Sequence, residues 1–302
     1  MPQKRWWPST GSILARMGNA LISILSALAL LLGGVAGGFV GALTGLGGGV
    51  IIIPLLSIVL GFPLQLATGA SLASTIATSS GAAAAYVKDG TTNIKIGMSL
   101  EVGTTLGAIV GAMTAAYIYS RGLSSLIFIA FGVVTLSSLY PTLSKMRGAA
   151  KNRPDSSTKL FQMEGRYHDA NKGRWISYVG VRWWLGEAVM TLAGFISGLL
   201  GVGSGVLKVL GLDSAMRLPI KVSTATSNFM IGVTAVTGSA IYWALGYIQP
   251  ELVAPIVIGV LFGSYAGSKV MKRAKGRTIR LAFSAILVII SVEMILRGLG
   301  IA

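Results

Sequence analysis

The sequence predicts an all-α integral membrane protein built from two homologous bundles of transmembrane helices, with about eight full crossings and two short broken or re-entrant segments. Three observations carry this. The 302-residue chain is 53% hydrophobic and 11% charged, with a mean hydropathy of +0.74, whereas a soluble domain has about 25% charged residues. Apolar runs such as Leu21–Val40, Val102–Ile118, Leu123–Leu139 and Leu281–Leu296 are long enough to cross a hydrocarbon core of ~30 Å as helices. Shifted by 156 residues, the sequence aligns with itself without a gap, residues 38–111 falling on 194–267; matches of special residue types at a fixed period mark a duplication.

The elements follow in chain order. Residues 1–20 contain Lys4-Arg5-Trp6-Trp7, cations beside amphipathic rings, and read as an interfacial segment. Residues 21–143 form the first repeat, with pieces at roughly 21–44, 50–60, 64–87, 95–119 and 122–141. Residues 144–177 read as a basic, polar, turn-rich extramembrane linker with Pro154, Asp155, Ser156 and Ser157 at its turn. Residues 178–302 form the second repeat, with pieces at roughly 178–200, 204–212, 220–245, 250–271 and 280–297. A helix of residues 50–60 spans only roughly 16 Å, so the short pieces do not cross alone.

The net charge of +16 does not point to nucleic acid. Eight Lys/Arg lie in Lys145–Arg174 and six in Lys269–Arg280; in loops of a membrane protein such clusters set topology and meet anionic lipid headgroups. The chain has no cysteine. Its one histidine, His168, lies in the polar linker, and no nucleophile and base pair can be named, so the chain reads as a non-enzyme without a cofactor or metal.

Two glycine-rich breaks stand at matching positions: Gly45-Leu46-Gly47-Gly48-Gly49 and Gly201-Val202-Gly203-Ser204-Gly205. Unwound backbone at membrane depth is tolerated only inside protein or beside a watery cavity. Paired interruptions in two repeats point to a transporter's substrate site, where helix starts favour an anion; a tight turn at the membrane surface is the alternative. The ladders Gly33/Gly37/Gly41/Gly45 and Gly103/Gly107/Gly111 read instead as close helix packing.

Thr68 and Ser71, with Thr224 and Ser227 at the same offset, lie on helix faces and are candidate hydrogen-bond donors to an oxyanion. Lys208 stands where the first repeat has Ile52 and is a candidate anion contact, or a side chain that snorkels near Asp213. Glu101 and Glu187 are candidate proton carriers, since an intramembrane carboxyl is costly; Glu187 also lies near Arg182, and Glu293 is placed to pair with Arg297.

The paired motifs resemble the sulfite exporter TauE/SafE family. The resemblance rests on Gly45-Leu46-Gly47-Gly48-Gly49-Val50-Ile51-Ile52-Ile53-Pro54 followed by Ala67-Thr68-Gly69-Ala70-Ser71-Leu72, and on Gly201-Val202-Gly203-Ser204-Gly205 followed by Ser223-Thr224-Ala225-Thr226-Ser227. It covers roughly residues 30–298 and implies movement of sulfite, organosulfonates or related small anions. The second copy departs from the pattern at Ser204, Lys208 and Leu210.

The expectation is therefore a multi-pass secondary transporter in the cell membrane. Its partners are a small anionic substrate, membrane lipids and a coupling ion, proton or sodium. The alternative is a passive anion channel or an accessory protein without a transport cycle. Eight crossings make the repeats parallel and put Lys272–Arg280 on the outside, against the positive-inside tendency; an odd number of crossings per half makes them inverted.

Overall fold

Glycines four residues apart leave a groove along one helix face, and in this chain such grooves decide which helices touch. The computed structural model describes residues 24–44, 47–139, 154–169, 173–273 and 276–301. The first half contains α1 (Ile24–Thr44), α2 (Gly49–Pro54) running into a π-helical turn (Leu55–Val59), α3 (Leu64–Lys88), α4 (Ile94–Ser120) and α5 (Ser124–Ser137). After the linker come α7 (Trp183–Leu200), α8 (Gly205–Leu210) with its π turn (Gly211–Ala215), α9 (Ile220–Ala244), α10 (Pro250–Arg273) and α11 (Gly276–Gly298). The bounds of α2, its π turn and α3 recur 156 residues later in α8, its π turn and α9.

The ladders pack backbone on backbone. A Cβ at Gly107 of α4 would press on the Thr191 carbonyl oxygen and lie 2.8 Å from the Phe195 nitrogen of α7. A Cβ at Gly263 of α10 would press on the Val35 carbonyl oxygen and lie 2.9 Å from the Phe39 nitrogen of α1. Val35 and Phe39 precede Thr191 and Phe195 by the same 156 residues, so the two helix pairs use one packing scheme. The opposite face of α4 carries the exposed stripe Met98, Val102, Leu106, Val110, Met113 and Tyr117, an apolar surface suited to lipid.

Helix directions follow from the same contacts. Residue numbers rise together along α1 against α10 and along α4 against α7, so these pairs are parallel. They run oppositely along α3 and α9, where Gly69 meets Tyr247, Gly238 meets Leu72, and Ser79 Oγ donates to the Asn228 carbonyl at 2.7 Å. They also run oppositely along α5 and α11, where Ser291 Oγ donates to Thr135 Oγ1 at 2.9 Å and Gly298 meets Ser125. Thr135 and Ser291 are again 156 residues apart.

The short helices fold back beside the helices before them. Gly33, Gly37 and Gly41 of α1 face Leu55, Ile52 and Gly48 in turn, so α2 returns antiparallel to α1. Each return ends in matched bonds: the Leu60 and Met216 nitrogens donate to the Leu55 and Gly211 carbonyls, and the Phe62 and Leu218 nitrogens to the Leu56 and Leu212 carbonyls. Pro54 lies before only the first π turn, so proline is not the cause of the widening. Among the described residues three helices are long and apolar enough by themselves to cross a membrane, Ile94–Ser120, Trp183–Leu200 and Pro250–Gly267, with shorter apolar helices at Ala27–Ala42, Gly49–Val59 and Ser124–Ser137.

The linker, expected as a basic, polar, turn-rich connection, adds the one departure from an all-α reading among the described residues. It forms α6 (Ser156–Phe161) and an antiparallel hairpin of β1 (Glu164–Asp169) and β2 (Arg174–Val179). Tyr167 and Tyr178 turn inward with Met163, against Ile96, Leu100, Met216 and Leu218, which gives the linker an apolar reason to dock. Asn93 Nδ2 donates to the Tyr178 hydroxyl at 2.9 Å, and the Val181 nitrogen donates to the Met216 carbonyl at 3.2 Å.

Asp155 caps α6 and accepts from Ser157 Oγ, from the Thr158 nitrogen and hydroxyl, and from the Arg182 nitrogen. Desolvation works to raise its pKa, but these hydrogen bonds outweigh it and hold the carboxyl well below the usual 3.8. Because the folded pKa is the lower one, the cap's contribution is complete above the unfolded value and is lost as pH falls through the folded value. We expect Asp155→Ala to raise amide exchange at residues 155–162 and 180–183 at neutral pH, whereas wild-type protection there persists down to about pH 4; exchange mass spectrometry checks both.

Candidate functional site

The two glycine breaks meet inside the protein. Gly47 and Gly48 take positive φ of 81° and 75° and turn the chain from α1 into α2; Gly201, Gly203 and Ser204 do the same for α8 at 72°, 63° and 46°. A Cβ on Gly49 would lie 3.1 Å from the Gly201 carbonyl oxygen and press on Ser71 Oγ, so the first break touches the second. A Cβ on Gly47 would lie 2.8 Å from Thr75 Cγ2 and 3.3 Å from Ile231 Cγ2, at the crossing of α3 and α9. Gly45 lies outside the described residues.

The hydroxyls of α3 and α9 hold the breaks in place. Ser71 Oγ donates to the Gly201 carbonyl at 2.6 Å, Thr75 Oγ1 to the Gly47 carbonyl at 2.9 Å and Ser227 Oγ to the Gly205 carbonyl at 3.2 Å. Helix-interrupting glycines free carbonyls that must find donors when no water is at hand. Ser71 and Ser227 meet that need here, and an incoming anion would find their protons already engaged. Thr68 is fully buried against Gly201, donates to the Leu64 carbonyl at 2.7 Å and lies 3.0 Å from the Tyr119 hydroxyl. Thr224 is only half-buried and stands apart from this set.

Lys208 does not snorkel. It is 0% exposed, and its Nζ donates to the Met230 carbonyl at 3.1 Å and to Thr234 Oγ1. Thr234 Oγ1 in turn lies 2.6 Å from Glu101 Oε1, and Glu101 is 4% exposed. A lone buried ammonium would cost several kcal/mol; one hydroxyl links it to a carboxylate from another helix. Glu187 Oε1 accepts from the Gly103 nitrogen at 2.8 Å, two residues along α4 from Glu101. The buried second oxygens of Glu101 and Glu187 have no hydrogen-bond partner among the described residues. Arg297, expected to pair with Glu293, donates from Nη1 to the Ser57 carbonyl at 2.6 Å.

Sequence reasoning did not single out Thr234 or Tyr119. Thr234 carried a readable signal, since it repeats Thr78 at the 156-residue offset and lies on the α9 face that also carries Ser227 and Ile231.

The family model for the sulfite exporter TauE/SafE matches residues 30–294. The chain belongs to the TauE/SafE family. Among curated TauE/SafE relatives, the "Probable membrane transporter protein YunE" of Bacillus subtilis is 28% identical over 282 residues, covering 91% of this chain and 99% of that protein. "Probable membrane transporter protein YdhB" of Bacillus subtilis is 27% identical over 248 residues, 82% of this chain and 89% of that one. "Probable membrane transporter protein MJ0441" of Methanocaldococcus jannaschii is 25% identical over 114 residues, 35% and 42% of the two chains. No solved structure matches. As a TauE/SafE protein the chain is a multi-pass membrane transporter and not an enzyme.

Proposed function

We propose that this protein is a secondary carrier of a small sulfur oxyanion, sulfite or an organosulfonate, moved by alternating access at a site shared by its two halves. The observation that carries the reading is Lys208, an ammonium fully buried beside two touching helix breaks. A cation in such a place favours an anion, and intramembrane charge marks transport pathways. Gly47, Gly48, Gly49, Gly203 and Gly205 offer backbone N–H groups at the breaks, and Gly201 and Ser204, whose nitrogens donate to the Ser197 and Val202 carbonyls, shape the second turn. Thr68, Ser71 and Ser227 brace that backbone, and Glu101 and Glu187 are the carboxyl groups for a proton to couple through.

The antiparallel crossings of α3 with α9 and of α5 with α11, each between equivalent helices of the two halves, support a two-fold axis lying in the membrane plane and hence inverted repeats. Each half then contributes one re-entrant helix pair and three full crossings, in place of four parallel crossings. The basic clusters Lys145–Arg174 and Lys269–Arg280 fall on one face, which removes the conflict with the positive-inside tendency.

Proteoliposome counterflow tests the function. A carrier preloaded with unlabelled sulfite takes up labelled sulfite faster and saturates, a channel shows no trans-stimulation, and an accessory protein does neither. Lys208→Met is expected to weaken anion binding by about 1–3 kcal/mol, the scale of a charge-assisted hydrogen bond. Calorimetry on folded protein checks this; unchanged affinity would remove Lys208 from the site.

A further inference from the structure

The chain Lys208 Nζ to Thr234 Oγ1 to Glu101 Oε1 joins a buried cation to a buried carboxylate through one hydroxyl that belongs to a third helix. A salt bridge built for stability would use direct contact with both carboxylate oxygens satisfied. Here only one oxygen is held, by a neutral hydroxyl that also faces the Met230 carbonyl at 2.9 Å, and the other is buried without a donor among the described residues. Lys208 has placed two of its three protons. The arrangement neutralises charge at a distance and leaves capacity at both ends. At the 156-residue offset the counterpart of Lys208 is Ile52 in the first half and that of Glu101 is Val257 in the second, so the pair occurs once and is not a demand of the duplicated fold.

We propose that Glu101 is a built-in counter-anion for Lys208, and that a substrate anion displaces it by competing for the same ammonium. This rests on the anion-carrier reading. Charge balance gives the consequence. With substrate at Lys208, two negative charges face one positive charge in the protein interior, where charges are weakly screened. The system regains neutrality when Glu101 takes one proton from solution, its carboxylate becoming a carboxylic acid whose O–H can donate to a neighbouring carbonyl or hydroxyl. One anion and one proton then occupy the carrier together.

The charged groups on the elements packed around α4 are few. They are Glu187 on α7, Lys208 on α8, and, at helix ends, Lys95, Arg121, Asp155, Lys159, Arg182 and Lys221; Asp213 follows in the π turn after α8. Among the described residues Glu187 and the buried Asp213 are the rival carboxyls for the proton, and Glu187, on the helix packed against α4, is the one to vary.

Titration calorimetry of purified full-length protein with methanesulfonate, which has no proton of its own to exchange near pH 7, in buffers of different ionisation enthalpy, counts protons. Wild type is expected to take up close to one proton per anion. Glu101→Gln, the same shape without the charge, is expected to bind on the order of tenfold more tightly with no linked proton. Thr234→Val cuts the link between the two charges and is expected to tighten binding as well, which keeps the test open if Glu101→Gln does not fold. Glu187→Gln tells the two carboxyls apart: loss of the linked proton in that variant, with Glu101→Gln still taking one up, overturns the assignment to Glu101. Weaker binding in folded Glu101→Gln, or an undiminished proton count in that variant, overturns the proposal while leaving the anion-carrier reading intact. Failure of wild type to bind methanesulfonate, sulfite and other small oxyanions overturns that reading and this one with it.

Discussion

Leucine at Gly107 is expected to leave almost no folded protein. The position is closed by backbone, not by side chains: the Thr191 carbonyl oxygen and the Phe195 nitrogen already occupy the volume of a Cβ. Side chains can change rotamer, but a helix backbone yields only by moving the whole helix. Separating α4 from α7 would open the contacts of Gly103, Gly111, Gly194 and Gly198 at the same time. We put the loss at about 4 kcal/mol or more, in the range reserved for overpacking that the structure cannot relieve. Gly263→Leu on α10 is expected to behave alike, because Val35 and Phe39 of α1 present the same backbone atoms. Val110→Leu, on the exposed face of α4, is the control and is expected to fall within about 0.5 kcal/mol of wild type. Thermal unfolding and the monodisperse fraction in detergent measure all three. A well-folded Gly107→Leu protein would contradict the packing scheme.

Alanine at Gly47 is expected to damage binding more than folding. Its φ of 81° is a left-handed conformation, which costs an L-residue about 1–2 kcal/mol. The added methyl would lie 2.8 Å from Thr75 Cγ2, a side-chain atom that can give way. The same methyl sits where the first break faces Ile231 of the second half, which in the carrier proposed above is where the anion approaches the backbone N–H groups. Gly61→Ala separates the two effects, since Gly61 has φ 67° and open space around its Cβ position. Both variants should lose similar stability, and only Gly47→Ala should lose affinity, by about tenfold or more. Gly203→Ala, at φ 63° in the second break, should weaken the same anion if one site is shared. Stability loss with full affinity in both break variants would take the glycine breaks out of the binding site.

What could be read from the sequence was what the bilayer punishes. Backbone groups cannot go unpaired in hydrocarbon, so the breaks at Gly45–Gly49 and Gly201–Gly205 had to be sheltered, and the structure shelters the part of them it describes. Glycines at spacing four could only be grooves, and Gly107 and Gly263 are. The short pieces after the breaks could not span, and they fold back. Direction was not readable in this way, because hydropathy and helical period look the same when a helix is reversed; it emerges from which ends touch, Gly69 with Tyr247 and Ser79 with Asn228. The partners of Lys208 were hidden for a similar reason. Thr234 and Glu101 come from two other helices, and no spacing rule links positions 101, 208 and 234.

The hairpin is a different kind of miss. Arg174-Trp175-Ile176-Ser177-Tyr178-Val179 is rich in β-favouring aromatic and branched residues. Six residues of strand pattern inside a basic segment were outweighed by the charge around them. What the charge count did not convey was the apolar seat at Ile96, Leu100 and Leu218, which Tyr178 and Met163 cover.

The account turns on the two halves facing opposite ways about the shared breaks, and labelling single cysteines tests that most directly. The chain has no cysteine of its own, so Lys151→Cys and Lys275→Cys can each be probed with a membrane-impermeant maleimide in intact cells and again after permeabilisation. Inverted halves with three full crossings each put both positions on the same side of the membrane, together with the basic clusters around them, and both are expected to label only after permeabilisation. Labelling of Lys275→Cys from outside the intact cell, with Lys151→Cys protected, would contradict the inverted arrangement and the alternating-access carrier built on it.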